Sequence, residues 1–313
     1  MKVSIIIPVY YNQDNLEPLY DDLQRVVFNI ISLDYEVIMV DDGSDDHSFD
    51  VIQGIVKKDS HYKAYRLSRN FGSHAAILCG LEHCTGDCAI IKAADLQEPS
   101  SMILDMISKW QEGYNVVLAV RRGREESRQQ IAFARLYYGI VRKLALPNMP
   151  RNGFDVYLLD RKVINVISKL DEPNSALTGQ VLWVGFKTGY VEYTRLAREV
   201  GSSKWTLTKK IRLVKNTLFG FSTVPIQIVS WIGGLSFVMA LVWSAIEIVL
   251  RLTGHINVGG WTLMFIFQLF SFGVIMMTLG ILGEYLWRTF DVSRKRPPYV
   301  IEDELIDSIE LRQ

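Results

Sequence analysis

The chain has 313 residues, 34 basic and 34 acidic, and is 49% hydrophobic. A charge balance without an excess of cations excludes a polyanion-binding protein, so no nucleic acid is expected as a partner. Cys79, Cys84 and Cys88 are odd in number and closely spaced, which implies no disulfide framework. Their spacing to His74 or His83 matches no zinc pattern, and they read as small buried thiols.

In chain order, residues 3–9 form a short apolar run around Pro8, too short and too strand-like for a signal peptide. Residues 16–30 then show helical spacing, with Leu16, Leu19, Leu23, Val26, Val27 and Ile30 on one stripe. A second buried strand is predicted at 36–40, ending in Asp41, Asp42, Gly43 and Ser44. Helical pattern follows over 48–58, strand over 63–67 and helix over 75–83. A further strand covers 88–92 and runs into Ala93, Ala94 and Asp95. Helix over 101–111 and strand over 116–120 complete the pattern. Alternation of continuous apolar strands with helices predicts an α/β domain with a mostly parallel sheet flanked by helices. Ligands bind beyond the carboxyl ends of such strands, where Asp41, Asp42 and Asp95 fall.

Two uncharged runs follow, 19 residues at 228–246 and 25 at 259–283. At about 1.5 Å per residue even the shorter one extends roughly 28 Å, enough for a bilayer core of about 30 Å. The segment before them interleaves Trp205, Leu207, Ile211 and Leu218 with Lys209, Lys210, Arg212 and Lys215, the pattern of an interfacial helix on anionic lipid. Basic residues flank the outer ends of the pair, and residues 251–258 carry one Arg and one His. The positive-inside rule then puts both termini and the preceding domain in the cytosol. The expected organisation is 1–203 catalytic domain, 204–225 amphipathic segment, 226–250 first span, 251–258 external loop, 259–287 second span and 288–313 cytosolic tail. That tail is a candidate element for homo-oligomerisation.

Several motifs run through the chain in order. They are Ile7-Pro8-Val9-Tyr10, Val40-Asp41-Asp42-Gly43-Ser44, Ser68-Arg69-Asn70-Phe71-Gly72 and Ala94-Asp95-Leu96-Gln97-Glu98-Pro99. Leu159-Asp160-Arg161 follows, then Arg195, Arg198, Gly201, Ser203, Lys204 and Trp205, and last Gly283-Glu284-Tyr285-Leu286. Together they resemble the family 2 glycosyltransferases of the polyprenyl-phosphate group, relatives of bactoprenol glucosyltransferases and dolichyl-phosphate mannose synthase. The resemblance implies a GT-A fold and transfer of one sugar from a nucleotide sugar to a polyprenyl phosphate lipid, undecaprenyl or dolichyl, at the inner (cytoplasmic) membrane. Pro8, Tyr10 and Asp42 then match nucleotide-binding positions. Asp95 matches the last carboxylate of the family's Asp-x-Asp motif, implying Mg2+ or Mn2+. Gln97, Arg195, Arg198, Ser203 and Lys204 match positions beside the donor sugar and phosphates. Asp155 falls on the family's catalytic Asp, although Phe154 and Tyr157 replace its usual Gly and Arg neighbours. A phosphomonoester is mostly dianionic at neutral pH, so Asp155 is expected to orient the acceptor or a cation more than to abstract a proton.

The chief departure is Ala93, where the family has Asp. UDP-glucose or another UDP-hexose is the favoured donor. A GDP-mannose-using enzyme and a catalytically silent membrane scaffold are the alternatives. A processive synthase is disfavoured, because Gln180-Val181-Leu182-Trp183 lacks the Arg-Trp pair such enzymes carry.

Overall fold

The first strand, β1 (Lys2–Val9), has Ile5, Ile6 and Ile7 all fully buried, which requires cover on both of its faces. The computed structural model describes residues 1–122, 138–170, 172, 176–195, 216–253 and 261–306. Helix α1 (Gln13–Leu23) and β2 (Asp34–Asp41) come next, then α2 (Ser48–Lys58), β3 (Tyr62–Leu67), α3 (Ser73–His83) and β4 (Cys88–Ile91). They are followed by α4 (Met102–Gln111), β5 (Val116–Arg121), β6 (Phe154–Asp160), α5 (Arg161–Ile167), α6 (Leu177–Trp183) and β7 (Thr188–Tyr193). Two long helices, α7 (Val224–Leu252) and α8 (Trp261–Ser293), precede β8 (Ile301–Leu305).

The strands join one sheet in the order β7-β5-β6-β4-β1-β2-β3-β8. Pairings of β1 with β2 and β4, of β2 with β3 and of β5 with β7 are parallel. Among the described residues, β6, against β4 and β5, and β8, against β3, are the strands that run antiparallel. The mostly parallel α/β sheet is therefore as the sequence predicts, with two reversed strands the alternation did not reveal. Reversal of β6 matters: its start lies at the same edge as the carboxyl ends of β1, β2, β4, β5 and β7.

One predicted stripe is interrupted. Leu16, Leu19, Leu23 and Val27 are fully buried, but Ile30 is 60% exposed. The cause is a π-helical turn over Gln24–Phe28, which widens the helix and rotates the residues beyond it off the core face.

The chain divides into two compact units. One comprises Met1–Val214 with Pro297–Gln313, the other Lys215–Arg296. The C-terminal segment thus belongs to the sheet domain: the Ser68 amide donates to the Val300 carbonyl at 2.9 Å, and Tyr299 donates its hydroxyl to Glu82. In the second unit, α7 and α8 are long and apolar enough to cross a membrane over Val224–Ile246 and Phe267–Ser293. Trp231, Leu235, Phe237, Phe270 and Leu286 are more than half exposed. An apolar surface of that extent suits lipid rather than water. At the end of α8, Glu284 accepts from Arg288 Nε at 3.0 Å, and Arg288 reaches Asn216 Oδ1 at 3.0 Å on the short helix at 216–221. Tyr285 donates to the Ser222 carbonyl at 3.4 Å.

Candidate active site

Strand β2 ends in two buried carboxylates, and both are engaged by the domain itself. Asp41 accepts the Ser44 hydroxyl at 2.5 Å and the Ser44 amide at 3.2 Å. Asp42 is 3% exposed and accepts the amides of Phe71 at 2.7 Å and Gly72 at 2.9 Å. Burial pushes Asp42 up to about 6, against the stabilising pull of those two amides. Its carboxylate therefore fixes the loop after β3 against the end of β2. Gly43 allows that approach, since a Cβ there would lie 2.5 Å from the Arg69 carbonyl carbon. Pro8 sits near the end of β1, in register with Val40, and Tyr10 packs edge-on against Tyr11 at 4.6 Å. The Tyr11 hydroxyl donates to Asp45 at 2.8 Å and its amide to Ser44 Oγ at 3.0 Å. These contacts shape one wall of the crevice at the strand ends.

Beyond β4 the chain turns sharply. Leu96 takes a positive φ of 56°, a conformation that a leucine holds only where its surroundings impose it. The Gln97 amide donates to Asp95 Oδ1 at 3.4 Å, and the Gln97 side-chain carbonyl accepts from Arg195. Glu98 is 2% exposed, with one carboxylate oxygen unpartnered among the described residues. Burial and then Asp95 raise its pKa, while Lys92, Arg195 and Arg121 act the other way. Lys92 lies fully buried behind this turn and donates to the Glu98 carbonyl at 2.7 Å.

On the far side of β4, Arg121 at the end of β5 pairs with Asp155 at the start of β6. The β5–β6 register shifts between Ala119 and Val120, and a bulge there re-aims the residues that follow it. The Tyr193 hydroxyl accepts Arg121 Nε at 3.2 Å, and Asn152 donates to the Arg121 carbonyl at 2.9 Å. Arg121 and Tyr193 were not singled out from sequence; Glu98 stood in a motif without a role, and Lys92 was only a charge beside Ala93 whose direction the sequence does not give. Arg121 ends a strand whose apolar run was recognised, but its place near Glu98 depends on β6 lying between β5 and β4, which local pattern does not reveal.

Of the residues the sequence brought forward, Asp95, Gln97 and Arg195 are linked by contacts, and Arg195 and Arg121 both act on Glu98. Arg198, Ser203 and Lys204 lie outside the described residues. Asp160 and Arg161, at the opposite end of β6, serve the scaffold. Asp160 accepts the Trp110 indole at 2.8 Å and caps α5 through the Lys162 amide at 2.9 Å, and Arg161 Nε donates to the Gly86 carbonyl at 2.8 Å.

Cys79, Cys84 and Cys88 are free and buried, and burial pushes the Cys79 thiol up to about 12. Among the described residues no group of three His, Cys, Asp or Glu side chains is placed to hold a metal ion. Ala93 offers no ligand and Glu98 lies beneath the turn, which leaves Asp95 as the carboxylate at the crevice end of β4. Such a donor set fits a hard cation only if diphosphate oxygens and water complete its shell.

A family model described as Glycosyl transferase family 2 matches residues 4–168. The bactoprenol glucosyl transferase of Shigella phage SfV is 32% identical over 305 residues, covering 97% of this chain and 99% of that protein. The prophage bactoprenol glucosyl transferase homolog of Escherichia coli K12 is 33% identical over 303 residues, 96% and 99% of the two chains. An uncharacterized glycosyltransferase of Synechocystis sp. is 32% identical over 304 residues, 97% and 95%. Among solved structures, glucosyl-3-phosphoglycerate synthase from Mycobacterium tuberculosis, in complex with Mn2+, UDP and phosphoglyceric acid, is 13% identical. It covers 68% of this chain and 75% of that one with a TM-score of 0.46, a likeness too low to bear on the site.

Proposed function

This chain belongs to glycosyl transferase family 2, and from that membership we propose that it moves one sugar, with inversion, from a nucleotide sugar to polyprenyl phosphate at the cytosolic face of a membrane. UDP-glucose or another UDP-hexose is the favoured donor. The observation that carries the reading is the likeness to bactoprenol glucosyl transferases along nearly the whole of both chains, helical pair included. The site chemistry agrees with it.

A polyprenyl phosphate oxygen attacks the anomeric carbon, a new C–O bond forms, and the bond to the nucleoside diphosphate breaks on the opposite face. The attacking phosphate is already mostly dianionic, so the step needs no strong base. What it needs is positive charge for two phosphates and a fixed line of attack. Arg121 and Arg195, at the ends of β5 and β7, supply guanidinium groups suited to phosphate. Asp155 orients Arg121, and Asp42 holds the loop that walls the nucleotide crevice. Arg198, Ser203 and Lys204 are proposed to add phosphate contacts. A Mg2+ or Mn2+ ion arriving with the donor would be held by Asp95 and would supply Lewis-acid neutralisation of the diphosphate.

Membrane placement follows the same reasoning. Met1–Val214 and Pro297–Gln313, which flank the helical pair in sequence, belong to one unit, and this supports placing both outer ends of the pair on one side of the membrane. Basic residues at those ends favour the cytosol. In this reading 1–203 is the catalytic domain, and the spans proposed at 226–250 and 259–287 overlap the apolar helical stretches Val224–Ile246 and Phe267–Ser293.

Transfer of radiolabelled sugar from a panel of nucleotide sugars to undecaprenyl phosphate in detergent tests the proposal, with and without Mn2+ or Mg2+. Lipid-linked product from one donor, absent with Asp95→Ala, establishes the transferase and its sugar. Product from GDP-mannose instead of a UDP-sugar would move it to the mannose synthase type. No product from any donor, in a protein that still binds nucleotide, would favour the scaffold reading that Ala93 raises.

A further inference from the structure

The residue before Ala93 is a lysine that the interior of the domain holds in place. Lys92 continues the β1–β4 ladder through its amide, which donates to the Ile6 carbonyl at 3.0 Å. Its side chain is fully buried, and its ammonium donates to the Glu98 carbonyl at 2.7 Å, across the base of the turn that carries Asp95. The carboxylates of Glu98, Asp22 and Asp95 all attract it. A buried ammonium is costly unless opposed by charge and hydrogen bonds; burial lowers the Lys92 pKa, and the carboxylates of Glu98, Asp22 and Asp95 act against that fall.

The consequence is electrostatic. An Asp-x-Asp turn presents two carboxylates to an incoming diphosphate, and a divalent cation must overcome the repulsion. Ala93 removes one of those negative charges, and Lys92 adds a positive charge that an apolar residue would not. Relative to Asp at 93 and an uncharged residue at 92, the turn is more positive by two charges (one lost, one gained), the charge of one divalent cation. The ammonium is covalently fixed and shielded from solvent, so dissolved salt screens it less than it would a surface charge.

We propose that Lys92, set behind Asp95 and Glu98 with Ala93 beside it, is a built-in counter-charge that lets this chain bind the diphosphate of its nucleotide with little help from a divalent cation. This inference rests on the transferase reading above, which it deepens at the nucleotide diphosphate.

Titration calorimetry of the full-length protein in detergent tests it, with UDP and GDP as probes, in EDTA and then in MnCl2. For the nucleotide that binds, the wild-type Kd is expected to differ by less than about tenfold between the two buffers. Ala93→Asp is expected to raise that ratio to about tenfold or more, because it restores the second carboxylate. Lys92→Met is expected to weaken binding in EDTA by about threefold or more, with MnCl2 recovering the loss. A wild-type ratio above tenfold, an Ala93→Asp ratio no larger than wild type, or unchanged EDTA binding in Lys92→Met would each overturn the inference. Should Lys92→Met fail to fold, the wild type and Ala93→Asp, both with the buried lysine intact, decide the matter alone. Binding that requires Mn2+ in the wild type removes this inference and leaves the transferase reading standing. Absence of nucleotide binding in both buffers removes both.

Discussion

Arg121 and Asp155 form an ion pair across the register shift between β5 and β6, and the Tyr193 hydroxyl takes a second bond from the same guanidinium. Three strands of different direction and sequence distance thus meet at one arginine. The pair leaves Asp155 bonded to a cation and gives Arg121 a fixed orientation toward the crevice.

Replacing Arg121 tests that arrangement. Arg121→Lys keeps the charge but loses the planar fork that contacts Asp155 and Tyr193 together. A fall in kcat/KM of about 10²-fold is expected for transfer to polyprenyl phosphate, with nucleotide affinity unchanged. Steady-state kinetics against the lipid, beside nucleotide titration, checks it; an equal loss in nucleotide affinity would place Arg121 on the donor.

A pH prediction follows from Glu36 at the far edge of the sheet. Burial raises its pKa, but bonds from Ser4 and the Thr85 amide, both 2.6 Å, with Lys2 at 3.1 Å, outweigh burial and bring it down to about 2. A carboxylate depressed in the fold contributes stability above its ordinary pKa and loses it as pH falls toward the folded value. The displacement corresponds to about 3 kcal/mol, present at pH 7 and lost between about pH 4.5 and 2. Glu36→Gln should therefore be destabilised at pH 7 and approach wild type near pH 2, as denaturant titrations at both pH values would read.

Gly80 lies where α3 comes close to the sheet. A Cβ there would meet Ile6 Cγ2 at 2.4 Å, and Ile6 is fully buried and stiff at its branched carbon. Gly80→Ala is expected to cost about 1–3 kcal/mol despite the better helix propensity of alanine. Ile6→Ala in the same chain should recover part of that cost, so a double-mutant cycle with thermal unfolding would show coupling, and additive losses would refute the contact.

At the end of α8, Glu284 and Arg288 are mostly buried, with side chains 18% and 14% exposed, and Arg288 also holds Asn216. Glu284→Ala would leave that arginine without its carboxylate. A loss of about 1–3 kcal/mol is expected for the helical unit, read as a lowered unfolding temperature in detergent. Glu284→Ala combined with Arg288→Met should lose less than Glu284→Ala alone, because the arginine whose ion pair is broken is then removed as well.

How much of this was legible in the chain depends on the range of the interactions. Buried strands such as β1 and β2, the amphipathic helices between them and the two apolar helices are written in local periodicity, and Asp42 and Asp95 fall at strand ends by the same local logic. The motifs also located Gln97 and Arg195, although their bond spans 98 positions.

What the sequence determined by itself was therefore the α/β pattern, the apolar helical pair and the acidic strand ends, because each arises from neighbours a few residues apart. Tertiary structure alone decided that β6 runs backwards, which carries Asp155 to Arg121 and leaves Asp160 on the scaffold side. It also decided that β8 returns to the edge of β3 from beyond both long helices. Strand direction and strand partner depend on backbone hydrogen bonds between distant segments, and an apolar strand has the same composition whichever way it points. Lys92 shows the same limit: beside Ala93 it was one more charge of unknown direction, and only the packed turn turned it inward beneath Glu98.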